Sequence, residues 1–171
     1  MVSITSEYFQ NPYKHLILNP IMKIWKLILA IIITNALGLI GSIFTRTGPD
    51  SWYSQIVKPS WNPPNAVFGP VWTTLFILMG ISLYFLWEKK DKKALIVFGI
   101  QLLLNILWSV FFFGLQNPLL AFIEIIILWI AILLTIIYAY KVKKAAAYLL
   151  IPYIVWVSFA AVLNYSIYLL N

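Results

Sequence analysis

Five apolar stretches, at about residues 24–44, 66–87, 94–113, 118–140 and 145–169, constrain this chain more than anything else in it. Each is long enough to cross a bilayer, which takes roughly 20 residues in a helix. Inside hydrocarbon every backbone N–H and C=O must bond within the protein, which leaves helices or a closed barrel. The stretches lack the in–out alternation of barrel strands, so helices are expected. A soluble domain of 171 residues could not bury a composition that is 63% hydrophobic and only 10% charged. The expected fold is an all-α integral membrane protein, a bundle of five transmembrane helices.

The cations give the topology. Lys14, Lys23 and Lys26 precede or open the first stretch; Lys89, Lys90, Lys92 and Lys93 follow the second; Lys141, Lys143 and Lys144 follow the fourth. All fall on one side of a five-helix layout, leaving Arg46 and Lys58 on the other. By the positive-inside rule the N-terminus is cytoplasmic, and the first loop and C-terminus face out. Charge so placed reads as topology, and no nucleic-acid partner is expected. The absence of cysteine removes disulfides, thiolate metal sites and thiol catalysis. Residues 1–23 carry Tyr8, Phe9, Pro12, Tyr13, Pro20 and the single histidine, His15. They lack the layout of a secretory signal and are expected to form a cytoplasmic tail or interfacial arm.

Between the first two stretches lies a stiff, aromatic loop, residues 45–65. Pro59, Pro63 and Pro64, with Pro70 beyond, each fix φ and restrain the preceding residue. Trp52, Trp61 and Lys58 sit on that frame, as a lid over the adjoining helix would. Three helical faces then stand out. Phe68, Trp72, Phe76 and Met79 form one stripe; Asn105 and Trp108 share a face; Trp156, Ala160 and Asn164 recur at every fourth residue, with Tyr153 and Tyr165 nearby. If the faces converge, they make a flat aromatic slot with polar anchors, Ala160 leaving room for a ligand ring. The competing reading is helix packing, with the asparagines as interhelical glue. Trp25, Trp87 and Trp129 read as interfacial or lipid-facing anchors. Glu124, deep in the fourth stretch, suggests a structural or coupling role ahead of proton transfer. Gly38, Gly41 and Gly99 form no GxxxG face.

The segments KPSWNPP and FGPVWTTLFILMG, QLLLNILWSVFFFG at 101–114 and LLIPYIVWVSFAAVLNYSIY at 149–168 resemble the translocator protein / tryptophan-rich sensory protein (TspO) family, also called peripheral benzodiazepine receptors. The resemblance covers about residues 27–171. It implies a five-helix domain over 24–171, commonly dimeric, that binds porphyrins and hydrophobic drug-like molecules in a pocket closed by the first loop. Carried onto this chain, the pocket tryptophans are Trp72, Trp108 and Trp156, the small position is Ala160, and the polar positions are Asn105 and Asn164. Three departures stand out. No base follows Tyr165 to complete the cholesterol-recognition stretch of animal members, so sterol transport loses support. Phe76 stands where many members carry Tyr, and Leu120 in place of a further Trp.

No nucleophile–base pair and no cluster of metal ligands stands out, so no metal and no intrinsic cofactor is expected. A metal-free porphyrin such as protoporphyrin IX suits the three tryptophan faces, with Lys58 or Arg46 available to a propionate. The first functional expectation is a receptor or sensor for tetrapyrroles in the lipid bilayer. The second, by resemblance to some bacterial members, is light- and oxygen-dependent porphyrin breakdown assisted by Trp72 or Trp156. A transporter of small hydrophobic molecules ranks third. The membrane is expected to be a prokaryotic cell membrane, or the mitochondrial outer membrane in a eukaryote.

Overall fold

The structure, a computed structural model, describes residues 14–171, with side chains from Met22 onward. It is all-helical, with no strand among the described residues. The elements are α1 (Lys14–Ser42), α2 (Trp52–Gln55), α3 (Asn65–Lys89), α4 (Lys92–Ser109), a π-turn over Val110–Gly114, α5 (Pro118–Val142), α6 (Lys144–Tyr148) and α7 (Ile151–Leu170). Five stretches are long and apolar enough to cross a membrane: Met22–Ser42, Asn65–Lys89, Lys92–Gly114, Pro118–Val142 and Lys144–Leu170. The expected tail over 1–23 lies largely outside the described residues. Helix α1 already runs from Lys14, inside that stretch.

Helix ends follow local chemistry. Asp91 caps α4 by accepting from Ala94 N–H at 2.9 Å, after Lys90 has reversed the chain with φ 53°. Asn117 caps α5 in the same way, accepting from Leu120 N–H at 2.9 Å, with Pro118 in the first turn. The fifth stretch is broken at Leu149–Leu150 into α6 and α7, because Pro152 has no N–H to carry the α-helical ladder across. Before Asn117 the chain widens into the π-turn, closed by Leu115 N–H donating to Val110 O at 2.7 Å.

The spans close a ring. Helix α1 packs against α3 and α4, α4 against α5, α5 against α6 and α7, and α6 back onto α3. Small residues and hydroxyls permit the tight contacts, as expected where lipid supplies no hydrophobic drive between helices. Gly80 lies on the α1 backbone: a Cβ there would sit 2.5 Å from Ile31 Cα. Thr34 Oγ1 donates to Phe76 O at 2.7 Å, and Ser82 Oγ to Ala146 O at 2.9 Å. Met79, Leu86, Phe98, Leu128, Ile132 and Val157 fill the centre. Apolar side chains such as Leu39, Ile96, Leu103, Val155 and Val162 cover the outside. Trp25 is 65% exposed there, whereas Trp129 packs between α5 and α7 and donates to Ser158 Oγ at 2.8 Å. Lys26 pairs with Glu88 at 2.8 Å at one end of the bundle. At the other end Asn171 grips Val57, accepting from its N–H and donating to its carbonyl, each at 3.0 Å. The first loop and the C-terminus therefore share one end.

Candidate functional site

Beneath the first loop the helices line a cavity of about 600 Å³. Its walls come from the end of α1, the first half of α3, the end of α4 with the π-turn, and α7 from Trp156 to Ile167, and its roof from the loop. Phe68, Trp72, Phe76, Asn105, Trp108, Trp156, Ala160 and Asn164, the eight residues picked out by helical spacing and resemblance, all line it. Trp72 stacks on Phe76, the ring centroids 5.7 Å apart, and Trp108 stacks on Phe112 at 5.2 Å. Phe68 meets Trp156 edge-on at 6.0 Å. These are offset and T-shaped geometries, which aromatic quadrupoles favour. The result is a set of fixed aromatic faces around a space wide enough for a planar ligand.

The polar groups serve the bundle as well as the cavity. Asn105 Nδ2 donates to Tyr153 Oη at 3.0 Å, joining α4 to α7. Trp108 Nε1 donates to Asn164 Oδ1 at 3.0 Å, and Asn164 Nδ2 donates to Pro118 O at 2.7 Å. Pocket and glue are thus one set of residues. Among the described residues Trp156 Nε1 is buried and has no partner.

Several residues stand elsewhere than the sequence suggests. Met79 is fully buried in the core below the cavity. Tyr165, one position past Asn164, is turned about 100° round the helix. It is 43% exposed and packs on Phe122. Glu124 is buried on α5 outside the cavity lining, and neither carboxylate oxygen has a partner among the described residues.

The lid is built in two layers. Trp52, Lys58, Pro59, Trp61, Pro63 and Pro64 are not part of the lining; they make the outer layer. Trp52 is edge-on to Phe112 at 5.6 Å, Trp61 edge-on to Phe159 at 5.7 Å, and Pro64 precedes α3 as its cap. Tyr53 is the inner layer, missed from sequence: it lines the cavity, is 4% exposed and donates to Asn62 Oδ1 at 3.1 Å. Burial holds its phenol above the ordinary range. Its one sequence signal is its place beside Trp52. Lys58 Nζ lies over the Tyr53 ring, 4.7 Å from the centroid, and donates to Ile56 O. Arg46 is exposed, but Thr45 and Thr47 on either side of it line the cavity.

The profile of the TspO/MBR family matches residues 30–170. The chain is 48% identical over 153 residues to the tryptophan-rich protein TspO of Archaeoglobus fulgidus, covering 88% of this chain and 99% of that one. With the tryptophan-rich protein TspO of Chlorobaculum tepidum it shares 47% identity over 155 residues, 87% of this chain and 98% of that one. With the human translocator protein it shares 36% over 135 residues, 75% of this chain and 80% of that one.

Proposed function

We propose, from the premise that this chain belongs to the TspO/MBR family, that it is a membrane receptor or sensor whose cavity binds porphyrins such as protoporphyrin IX and other flat hydrophobic molecules. Membership establishes the coarser role, that of an integral membrane protein acting as sensor, receptor or transporter. One observation carries the finer one: Trp72, Trp108 and Trp156, from three different helices, line a single cavity under the loop. Flat faces on several walls suit a rigid aromatic macrocycle, which loses little conformational entropy on binding. Arg46 lies in sequence between two lining threonines, which supports it over Lys58 as the partner of a propionate. The reading includes an N-terminus on the cytoplasmic side of a prokaryotic cell membrane and a homodimer.

The test is a protoporphyrin titration of the purified protein in the dark, read by tryptophan quenching. Trp72→Phe and Trp156→Phe should weaken saturable binding, and Trp25→Phe, on the outer surface, should not. Equal effects of all three would refute the pocket. A second reading, light-driven porphyrin oxidation, is favoured by one observation: two oxidisable indoles, Trp72 and Trp156, both line the cavity. Product formed under light and oxygen, and lost in both Phe variants, would support it.

A further inference from the structure

We propose that the cavity opens to the bilayer through a lateral slot between α1 and α3, and that a membrane-dissolved planar ligand reaches it by that slot while the loop stays closed. This rests on the reading above that the cavity takes a porphyrin-class ligand. The first observation is an asymmetry of exposure. The exposed members of the lining all come from one side: Leu39 and Ser42 on α1, Thr45 just beyond it, and Asn65, Gly69 and Thr73 on α3. Leu39 is 67% exposed. Every lining residue on α4 and α7 is buried or half-buried.

The slot has defined limits. Deeper in the membrane the two helices are locked together by the Thr34 bond to Phe76 O, by Gly80 on the Ile31 backbone, and by Gly38 under the Phe76 ring. Toward the loop, Asn65 Nδ2 closes the gap by donating to Thr47 O at 3.3 Å. Between these closures lie Leu39 and Ser42 on one lip and Gly69 and Thr73 on the other. A Cβ at Gly69 would meet nothing within 4 Å, so the space beside it is open.

The lips suit passage through lipid. Ser42 Oγ donates to Leu39 O at 2.7 Å and Thr73 Oγ1 to Gly69 O at 2.9 Å. Each hydroxyl is satisfied on its own helix, so the rim presents no unpaired polar group to the hydrocarbon and holds no molecule passing it. The roof offers no such opening. Moving it would break the Trp52–Phe112 and Trp61–Phe159 contacts and both bonds between Val57 and Asn171.

The experiment places the protein in phosphatidylcholine nanodiscs and follows exchange of protoporphyrin IX with labelled vesicles. Gly69→Phe plugs the slot and should slow both uptake and release by about tenfold, whereas the loss of a binding contact would speed release. Ser42→Phe on the opposite lip serves if the first variant misfolds. In this cysteine-free chain, Val57→Cys/Asn171→Cys joined by a short bismaleimide holds the roof shut and should leave exchange unchanged. Exchange that stops on joining the roof, or that survives both plugs, overturns the proposal. A nitroxide on Gly69→Cys gives a reading independent of porphyrin. Relaxation by oxygen and not by an aqueous nickel chelate supports the slot, and relaxation by nickel overturns it. Wild-type protein that binds no porphyrin while that nitroxide stands in lipid refutes the choice of ligand and supports the open slot.

Discussion

Trp108 donates its indole N–H to Asn164 Oδ1, and the same amide passes a hydrogen bond on to the Pro118 carbonyl. One side chain thereby ties the end of α4, the start of α5 and α7 together at the cavity wall. Asn164→Leu would strand the Trp108 N–H, at a cost of about 1–3 kcal/mol, and would leave Pro118 O with only its ladder bond in α5. Trp108→Phe strands only the Asn164 oxygen and should cost less. The double variant should lose less than the sum of the two, because each single change already breaks the shared bond. Thermal unfolding of the four proteins in one detergent checks this; strict additivity would mean the bond contributes nothing.

The glycines predict a graded series. At Gly80 an added Cβ meets the Ile31 backbone, which cannot swing aside, while at Gly38 it meets the Phe76 ring, which can move at the expense of its stacking on Trp72. Gly80→Ala should therefore destabilise most and Gly38→Ala less, both within the range of about 1–3 kcal/mol typical of overpacking. Gly38→Ala should also lower porphyrin affinity, since Phe76 lines the cavity. Gly99 has nothing near it, and Gly99→Ala should gain about 0.5–1 kcal/mol from helix propensity. Melting temperatures in the reverse order would contradict the α1–α3 packing.

Loop docking should weaken in alkali. The buried Tyr53 phenol is held above its ordinary value of about 10, so the docked loop resists ionisation. Below that pH both docked and undocked forms are neutral and docking is unaffected. As pH rises through it, the undocked loop loses its proton first, and docking loses free energy. Lys58 faces the ring rather than the hydroxyl–Asn62 pair, and Asp50 is the loop's one acidic residue. Proteolytic nicking of residues 45–65 should accelerate above about pH 10 in wild type and much less in Tyr53→Phe. Identical profiles would exclude the phenol as the cause.

The five spans were readable because lipid imposes one rule on the whole chain, and spacing placed Phe68, Trp72 and Phe76 together because i, i+4 residues share a helical face. Spacing within a helix says nothing about which helix faces which. The ring order, the partner of Asn105 and the shared bond of Trp108 and Asn164 belong to tertiary packing. Tyr53 was hidden for a related reason: the four-residue α2 is too short to show a period, and Trp52 beside it carries the louder signal. The break before Ile151 was foreshadowed by Pro152, and the π-turn at Val110–Gly114 by nothing but the phenylalanine run it contains. The lid residues read from stiffness and aromatic character form the outer layer, Trp52 and Trp61 lying edge-on to Phe112 and Phe159 rather than in the lining.

Glu124 yields the last prediction. Its side chain is 4% exposed on α5, outside the cavity lining, and neither oxygen has a partner among the described residues. A carboxyl placed so in a membrane span is costly, and removing it together with its desolvation cost should stabilise the fold. Glu124→Leu, which fills the same space without polar atoms, should raise the melting temperature by an amount equivalent to about 1–3 kcal/mol. Glu124→Gln keeps the shape and should fall between the two. Porphyrin affinity should be the same in all three, because the tryptophan faces do not depend on this residue. Unchanged stability with weakened binding would reverse the assignment and make Glu124 a coupling group that acts on the cavity from behind. Lowered stability in both variants would instead show that its oxygens are bonded in the folded protein, as a structural carboxyl requires.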